Sequence, residues 1–384
     1  MVNLRRKKSN KTMAIVSGYS LDLPAIRNRL IPFIDIALRN KFKITLISPT
    51  GSDLGIKDKN LKILSINKKI ENSSSYFLRA IGEISSSFRM IKLVYKNNYD
   101  YVIIGIPSIF NLLFIKPILT PQFLDIRDIA WEYLRDDHFL ERVVKLIFRK
   151  VAKYKFRIFN LVLTTNEAES DYVKNFCGLP DNKVYLLSNG IDEKKFNQIK
   201  LINNKFSKDK EVIISYIGNI GVAQNLETIL LAARKLKYIK FNIVGSGRDF
   251  KNIKNKIHYY NLENVKLYGR VNWENIIKIY QDTDILYAQL TKNFSSAIPS
   301  KLYEYLASGK CIIYGGIGQA VEKLKFFENV FLIEPQNNIT LTKCIENIIQ
   351  NNHHKKISFN NKKIIQKYYI REKNINTFFE KNIT

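Results

Sequence analysis

Ala297-Ile298-Pro299-Ser300-Lys301-Leu302-Tyr303-Glu304-Tyr305-Leu306-Ala307-Ser308-Gly309-Lys310 carries its own start and stop signals. Pro299 and Ser300 precede a helical run, and Gly309 ends it. The predicted helix is short, and the amides of its first turn, with the positive end of its dipole, serve an anion. Lys301 adds a charge in that same turn. Glu304 stands three residues after Lys301 and four after Ser300, so all three share one side of the helix. Amides and an ammonium suit a diphosphate, and a carboxylate one turn on suits the hydroxyls of a ribose. A surface helix with a solvated Lys301–Glu304 pair has the same spacing and, on spacing alone, is the plainer reading.

Around this helix, strand-like and helix-like runs alternate. Ala14 to Ser17, Lys43 to Ser48, Tyr101 to Ile104, Leu161 to Thr164 and Val184 to Leu187 read as strands in the first half. Tyr101-Val102-Ile103-Ile104 is apolar on both faces, as in a parallel sheet. The segment 191–211 is polar, rich in Lys and Asn, and reads as a linker. The alternation then restarts with strands at Val212 to Ile217, Phe241 to Val244, Val265 to Tyr268, Ile285 to Tyr287 and Cys311 to Tyr314. Such alternation in both halves predicts an α/β chain with two Rossmann-like parallel-sheet domains facing a central cleft. The expected bounds are an amino-terminal domain over 1–195, a linker over 196–211, a second domain over 212–360, and a helical end over 361–384 that crosses back to the first domain. Gly18, Gly218, Gly245 and Gly269 all follow strands, at the carboxyl ends where open parallel sheets bind ligands.

The 384 residues are 46% hydrophobic and 12% aromatic, which excludes a disordered chain. The 62 Lys and Arg against 34 Asp and Glu leave a net charge of +28. Residues 1–200 hold 34 basic and 19 acidic side chains, and the remainder 28 and 15, so the excess is +15 and +13 and is not one tail. Such a field favours anionic partners: a membrane surface, nucleic acid or phosphorylated small molecules. Cys177, Cys311 and Cys344 are scattered, which argues against a disulfide framework or a structural zinc and for a reducing compartment. The basic start, Met1 to Lys11, leads into an apolar stretch too short for a signal peptide. The apolar run Tyr101 to Ile115 is too short to span a bilayer. A cytoplasmic protein, at the inner face of the cell membrane, is expected.

The opening stretch, from Pro299 to Lys310, closely resembles the nucleotide-sugar signature of family 4 retaining glycosyltransferases, which have the GT-B fold. Other segments resemble that family in the same order. They are Ser188-Asn189-Gly190-Ile191-Asp192, Tyr216-Ile217-Gly218-Asn219-Ile220-Gly221, Asn242-Ile243-Val244-Gly245-Ser246-Gly247 and Asn264 to Val271. The resemblance implies a donor site made of Gly18, Gly218, Asn219, Gly221, Gly245, Arg270, Ser296, Ser300, Lys301, Leu302 and Glu304. It implies a sugar moved from a nucleotide-sugar donor to an acceptor hydroxyl, with retention and without a metal or other cofactor. Three departures mark this chain. Ser296 stands where the family's first paired glutamate stands, Asn219 and Gln224 replace a phosphate-binding Arg and Lys, and Leu124 to Glu132 contains no His. Together with Gly218-Asn219-Ile220-Gly221, Arg127-Asp128 and Ile298 to Lys301, they resemble the fucosamine-transferase-like branch of bacterial surface-polysaccharide pathways, which uses UDP-sugars. A lipid-linked or saccharide acceptor is implied.

Asp125, Arg127, Asp128 and Glu132 form the polar cluster of the amino-terminal half. Asp128 orients an acceptor and Arg127 neutralises charge in one reading; a buried Arg–Asp pair holding a loop is the other. Asp282-Thr283-Asp284 looks like a metal-binding pattern but precedes a buried strand, and Gly245-Ser246-Gly247 is an incomplete dinucleotide fingerprint. His138 to Asn160 has seven Lys or Arg and one Glu, with Phe139, Val143, Leu146, Ile147 and Val151 at helical spacing. It is a basic amphipathic helix fit for anionic lipid, or a domain helix with its apolar face in the core. Nucleic acid is not expected, for no reading module is present. A GT-B nucleotide-sugar epimerase and a non-catalytic basic protein that binds membranes or polyanions are the alternative function classes.

Overall fold

Short apolar runs that end at a glycine or a polar turn become parallel strands here, and longer amphipathic runs become the helices that cover them. The computed structural model describes residues 11–51, 53–66, 76–106, 109–202 and 211–383. The basic start through Asn10, Pro107 with Ser108, and residues 203–210 of the expected linker lie outside the described residues. The chain divides into two units, Met1–Asn189 with Glu372–Thr384, and Gly190–Arg371.

The first unit holds strands β1 (Thr12–Val16), β2 (Lys43–Ser48), β3 (Leu61–Ser65), β4 (Tyr101–Ile106), β5 (Gln122–Ile126), β6 (Leu161–Thr164) and β7 (Val184–Leu186). They form one sheet in the order β3-β2-β1-β4-β5-β6-β7. Val16 pairs with Ile47 on one side and Ile104 on the other, so the strand order reverses beside β1. The second unit holds β8 (Ile213–Ile217), β9 (Lys240–Val244), β10 (Val265–Gly269), β11 (Ile285–Gln289), β12 (Cys311–Gly315) and β13 (Val330–Ile333), in the order β10-β9-β8-β11-β12-β13. Here the order reverses between β8 and β11, and such a reversal opens a ligand crevice at the strands' carboxyl ends. β3, β5 and β13 were not expected. β3 is only partly buried and exposes Lys62, β5 carries Asp125 one residue before its end, and β13 is four residues long.

Each sheet has an apolar cluster on both faces. Residues 361–371 belong to the second unit; from Glu372 onward the helix Arg371–Asn382 belongs to the first unit, and it seals one of these faces. Its Phe378 and Phe379 are fully buried. Phe379 lies 4.9 Å from the Phe33 ring and 6.1 Å from Phe42, and Phe378 lies 5.3 Å from Tyr185 and 6.1 Å from Phe123. The expected linker is corrected in part. Residues 193–199 form the helix Glu193–Ile199, capped by Asp192, and Phe196 and Ile199 are buried in the core of the second unit. Two apolar side chains one turn apart suffice to dock a polar segment, which is why its composition hid it.

The basic amphipathic run forms the helix Phe139–Lys155. Its inward residues include Lys145 and Ala152, and the Lys145 ammonium is held by Asp136 at 2.9 Å and the Leu134 carbonyl at 3.3 Å. Phe139, Leu140, Val143, Val144, Leu146 and Ile147 are exposed instead. Among the described residues no helix is long and apolar enough to cross a membrane.

Removing a fully buried phenylalanine costs about 3–5 kcal/mol. Phe379→Ala is therefore expected to lower the melting temperature by many degrees, as read by thermal denaturation, although the residue is five positions from the end of the sequence. A melting temperature within one degree of the native protein would show that the closing helix does not contribute to the first unit's core.

Candidate active site

Three strand ends in the second unit stack their backbones against one another. Gly218, after β8, donates to the Val244 carbonyl at 2.9 Å, and Gly245, after β9, donates to the Gly269 carbonyl at 2.7 Å. Gly245 has φ +139°, and a Cβ there would overlap the Gly218 carbonyl oxygen. Ile220 donates to the Ser246 carbonyl at 2.9 Å, which ties the two loops further along. The expected donor-site glycines Gly218 and Gly245 are thus brought together by close backbone approach that excludes a side chain.

The helix Lys301–Ser308 begins where expected and ends at Gly309, which has φ +71°. Tyr305 bolts it to the sheet on both sides of the strand-order reversal. Its hydroxyl accepts from the Ile217 amide at 2.8 Å and reaches the Tyr287 carbonyl at 3.2 Å. That anchor sets the first turn over β8. The Lys301 ammonium lies 3.7 Å from the centroid of the Tyr216 ring and donates to the Tyr216 hydroxyl, which in turn donates to the Asn219 carbonyl. A Cβ on Gly218 would lie 2.5 Å from the Lys301 Nζ and 2.7 Å from its Cε. Part of the Lys301 residue meets solvent. Its ammonium, wedged between an aromatic face and a backbone turn, is nevertheless stripped of water. That burial pulls its pKa down to about 7, against the opposing pull of Glu304. Burial also raises the Tyr216 phenol well above its ordinary value, so Tyr216 stays neutral and supplies no counter-charge.

Glu304 does not form the solvated pair with Lys301 that spacing alone allows. Its Oε1 lies 3.0 Å from the Lys195 ammonium, and its Oε2 accepts from the Tyr280 hydroxyl at 3.3 Å. Its side chain is 21% exposed, so it still faces solvent. Ser300 is exposed at the helix start, and its own side chain makes no cap bond. Leu302 is a core residue at 2% exposure, and its amide is taken by the Pro299 carbonyl at 3.0 Å. Its side chain is therefore unavailable to a ligand. Asn219 is exposed and its amide donates to Gln224 Oε1 at 3.2 Å, with Gly221 packed beneath the pair. Arg270 is exposed just past β10, and Ser296 is half-buried in the loop before Pro299. A groove of about 670 Å³ lies elsewhere in this unit, along β10, lined by Phe250, Ile257, Leu262 and Leu267. Lys254, His258 and Glu263 also line it, and it includes neither Gly218, Lys301 nor Glu304.

In the first unit, Gly18 follows β1, where the Ser17 amide donates to the Ile47 carbonyl at 2.8 Å. Asp125 is buried within β5 between Arg29, at 2.8 Å, and Arg127, at 3.2 Å. Burial opposes ionisation of Asp125, but the two guanidinium groups outweigh it and hold the carboxyl below its usual range. The Arg–Asp pair that holds a loop is therefore present. Arg127 keeps an unused donor, for its Nη1 is buried with no hydrogen-bond partner. Asp128 is half-buried, and burial raises its pKa against the pull of Tyr133 and the Ile129 amide. Glu132 is taken up by Arg149, with Nε at 2.8 Å.

Sequence reading missed Glu169. It is 4% exposed, and its Oε2 accepts from the Thr165 amide at 2.6 Å and hydroxyl at 2.9 Å. Burial pushes its pKa up to about 7, and Asp128 adds to that rise. Asn166 followed three residues later by Glu169 was the legible signal, since it is the spacing of a capping box. Asp284 accepts from the Ile213 amide at 2.9 Å and Thr283 bonds the Ser215 hydroxyl at 2.6 Å, so Asp282-Thr283-Asp284 serves as a strand edge.

Residues 197–364 match the family model described as "Glycosyl transferases group 1". The match covers less than half of the chain and lies within the second unit. The chain is 21% identical over 309 residues to the N,N'-diacetylbacillosaminyl-diphospho-undecaprenol alpha-1,3-N-acetylgalactosaminyltransferase of Campylobacter jejuni, covering 77% of this chain and 78% of that one. It resembles in fold the sucrose-phosphate synthase of Thermosynechococcus elongatus, with a TM-score of 0.72, 14% identity, and 96% and 98% of the two chains covered. Anabaena HepE in complex with UDP gives a TM-score of 0.69 at 15% identity, over 97% and 99% of the two chains. The fold is GT-B, and the chain is an enzyme of the glycosyltransferase class.

Proposed function

We propose that the protein transfers a sugar, with retention and without a metal, from a UDP-sugar to an acceptor hydroxyl of a lipid-linked or saccharide acceptor in surface-polysaccharide or glycolipid synthesis. The observation that carries this reading is the Lys301 ammonium, set at a helix start over Tyr216 and against Gly218, with Glu304 one turn on. A desolvated ammonium with a neutral phenol for a partner gains most from a dianion. As the bond from sugar to phosphate breaks, negative charge grows on the diphosphate. Lys301, at the positive end of the helix, stabilises it there. Glu304 accepts from the ribose hydroxyls. The proton of the acceptor hydroxyl passes to the departing phosphate, so no protein base is needed. Asp128 orients the acceptor, and Arg127 contributes positive charge beside it. Two relatives support the choice of substrates. The name of the Campylobacter relative specifies an undecaprenol diphosphate-linked acceptor and an alpha linkage, and HepE is seen with UDP.

The surface of the first unit supports a lipid-side acceptor. Phe139 is 76% exposed, Leu140 66% and Ile147 52%, while Arg142, Lys150 and Lys153 are exposed on the same helix. Apolar side chains that enter the headgroup layer beside lysines and arginines bind anionic lipid, at about 1 kcal/mol per basic residue. On this reading the protein works at the inner face of the cell membrane.

Glu304→Ala is expected to lower transfer by about a hundredfold or more, measured as product formed from a UDP-sugar, with little change in melting temperature. Donor turnover close to normal would remove Glu304 from the site. The pH dependence follows from Lys301. Its pKa in the free protein is about 7, so it is neutral above that pH, and an incoming dianion must restore the proton. UDP, whose own phosphate is fully ionised above pH 7, should therefore bind more weakly as pH rises from 7 to 9, by up to about tenfold per unit. Calorimetry should show this slope in the native protein and a flat profile in Lys301→Arg. For the membrane contact, Phe139→Glu combined with Ile147→Glu is expected to abolish sedimentation with vesicles of anionic lipid. Binding of the double variant at native strength would assign the exposed face to another role.

A further inference from the structure

We infer that Lys195 is a positioning residue for Glu304, holding its carboxylate in the orientation that meets the ribose of the donor. This rests on the donor reading above and adds a residue to it. The backbone that carries Lys195 is fixed by its sequence. Gly190 leaves no room for a Cβ, which would overlap the Tyr369 carbonyl oxygen. Ile191 donates to that same carbonyl at 2.9 Å and accepts from the Arg371 amide at 3.0 Å. Asp192 then caps the helix Glu193–Ile199, and the amide it binds, at 3.0 Å, is that of Lys195 itself. Phe196 and Ile199 bury the other face of this helix. The turn Asn189-Gly190-Ile191-Asp192 thus aims one lysine.

The side chain is fixed as firmly. The Lys195 ammonium lies 3.0 Å from Glu304 Oε1 and 4.5 Å from the centroid of the Trp273 ring. The Trp273 indole donates to Gln198, one turn on from Lys195, so both the face and the edge of the ring are held by one helix. Glu304 Oε2 accepts from Tyr280, whose phenol is kept neutral by burial and by Glu304 itself. Each carboxylate oxygen therefore has one internal donor. A carboxylate offers about four acceptor positions, so about two remain, enough for the two hydroxyls of a ribose. The Lys195 and Glu304 side chains are 37% and 21% exposed. An ion pair this open adds little to folding. Losing it should appear in recognition of the ribose and not in stability.

The test compares affinities for UDP and 2′-deoxy-UDP in the native protein and in Lys195→Met, Lys195→Gln, Lys195→Arg and Glu304→Gln, with melting temperatures for each and GDP and 2′-deoxy-GDP in parallel. The native protein should prefer the ribonucleotide by about tenfold, in keeping with one hydrogen bond to a charged group. Both neutral Lys195 variants should reduce that preference to about threefold or less, near that of Glu304→Gln. Lys195→Arg should restore most of it, and affinity for inorganic pyrophosphate should not change. A native preference retained by both neutral variants overturns the role of Lys195 and leaves the donor reading standing. Equal binding of ribo- and deoxynucleotide by the native protein overturns the ribose role of Glu304 and that of Lys195 with it. Failure to bind either UDP or GDP overturns the donor reading itself.

Discussion

An ammonium packed against an aromatic face and a glycine, with a phenol in place of a carboxylate as its partner, governs the carboxyl edge of the second sheet. Lys301 can approach β8 this closely only because residue 218 lacks a side chain. Gly218 in turn brings its carbonyl so near to the next strand end that residue 245 must lack one too. The helix that delivers Lys301 is held in place by one phenol, Tyr305, bridging the two strands at which the sheet order reverses. A glycine pattern, an aromatic residue at the end of β8 and a lysine at a helix start are therefore one arrangement. The departures of this chain from the commoner family pattern fit it. With Asn219 and Gln224 where an arginine and a lysine are usual in the family this chain resembles, the positive charge of the proposed phosphate site is concentrated at Lys301, where desolvation strengthens its pull on an anion.

Much of this was legible in the sequence, and the exceptions share a cause. Helix bounds at 301–308 follow from Pro299, Ser300 and Gly309, because start and stop chemistry is local. Ten of the thirteen strands follow from apolar runs. β5 escaped because Asp125 interrupts its apolar pattern, and only the fold supplies Arg29, 96 residues away, to neutralise that carboxylate. The helix Glu193–Ile199 escaped because two residues dock it. Lys195 and Glu304, 109 residues apart, carry no pairing signal in a single sequence. Spacing alone favoured a Lys301–Glu304 pair, and it misled because each residue finds a better partner across the unit. What sequence periodicity reads well is burial; what it cannot read is which charge answers which across long separations.

The helix Phe139–Lys155 shows the same limit from the other side. Its periodicity is plain, yet the pattern left open which face turns inward. The structure turns Lys145, Arg149 and Ala152 toward the unit, and answers the two charges with Asp136 and Glu132. Its broadest apolar stripe is left outside. This inversion costs desolvation of a lysine and exposes several large side chains to water, and neither change helps a monomeric fold. An inversion of that kind is understandable where the outer stripe has an apolar layer to enter.

The net charge of +28 and these two local features act over different distances. At physiological ionic strength the field of a dispersed charge decays over about 8 Å, so it raises the local concentration of anions without choosing among them. Selection requires charge placed where water is absent. Lys301 has such a setting between the Tyr216 ring and the Gly218 turn, and Arg142, Lys150 and Lys153 gain one only where the apolar residues beside them enter an apolar layer. Basic composition thus explains attraction to anionic partners in general. On the proposed reading, discrimination between a nucleotide and any other polyanion falls to the few residues that would hold ribose and diphosphate together, and there the orientation of one carboxylate, Glu304, carries more information than the sixty-two positive charges can supply.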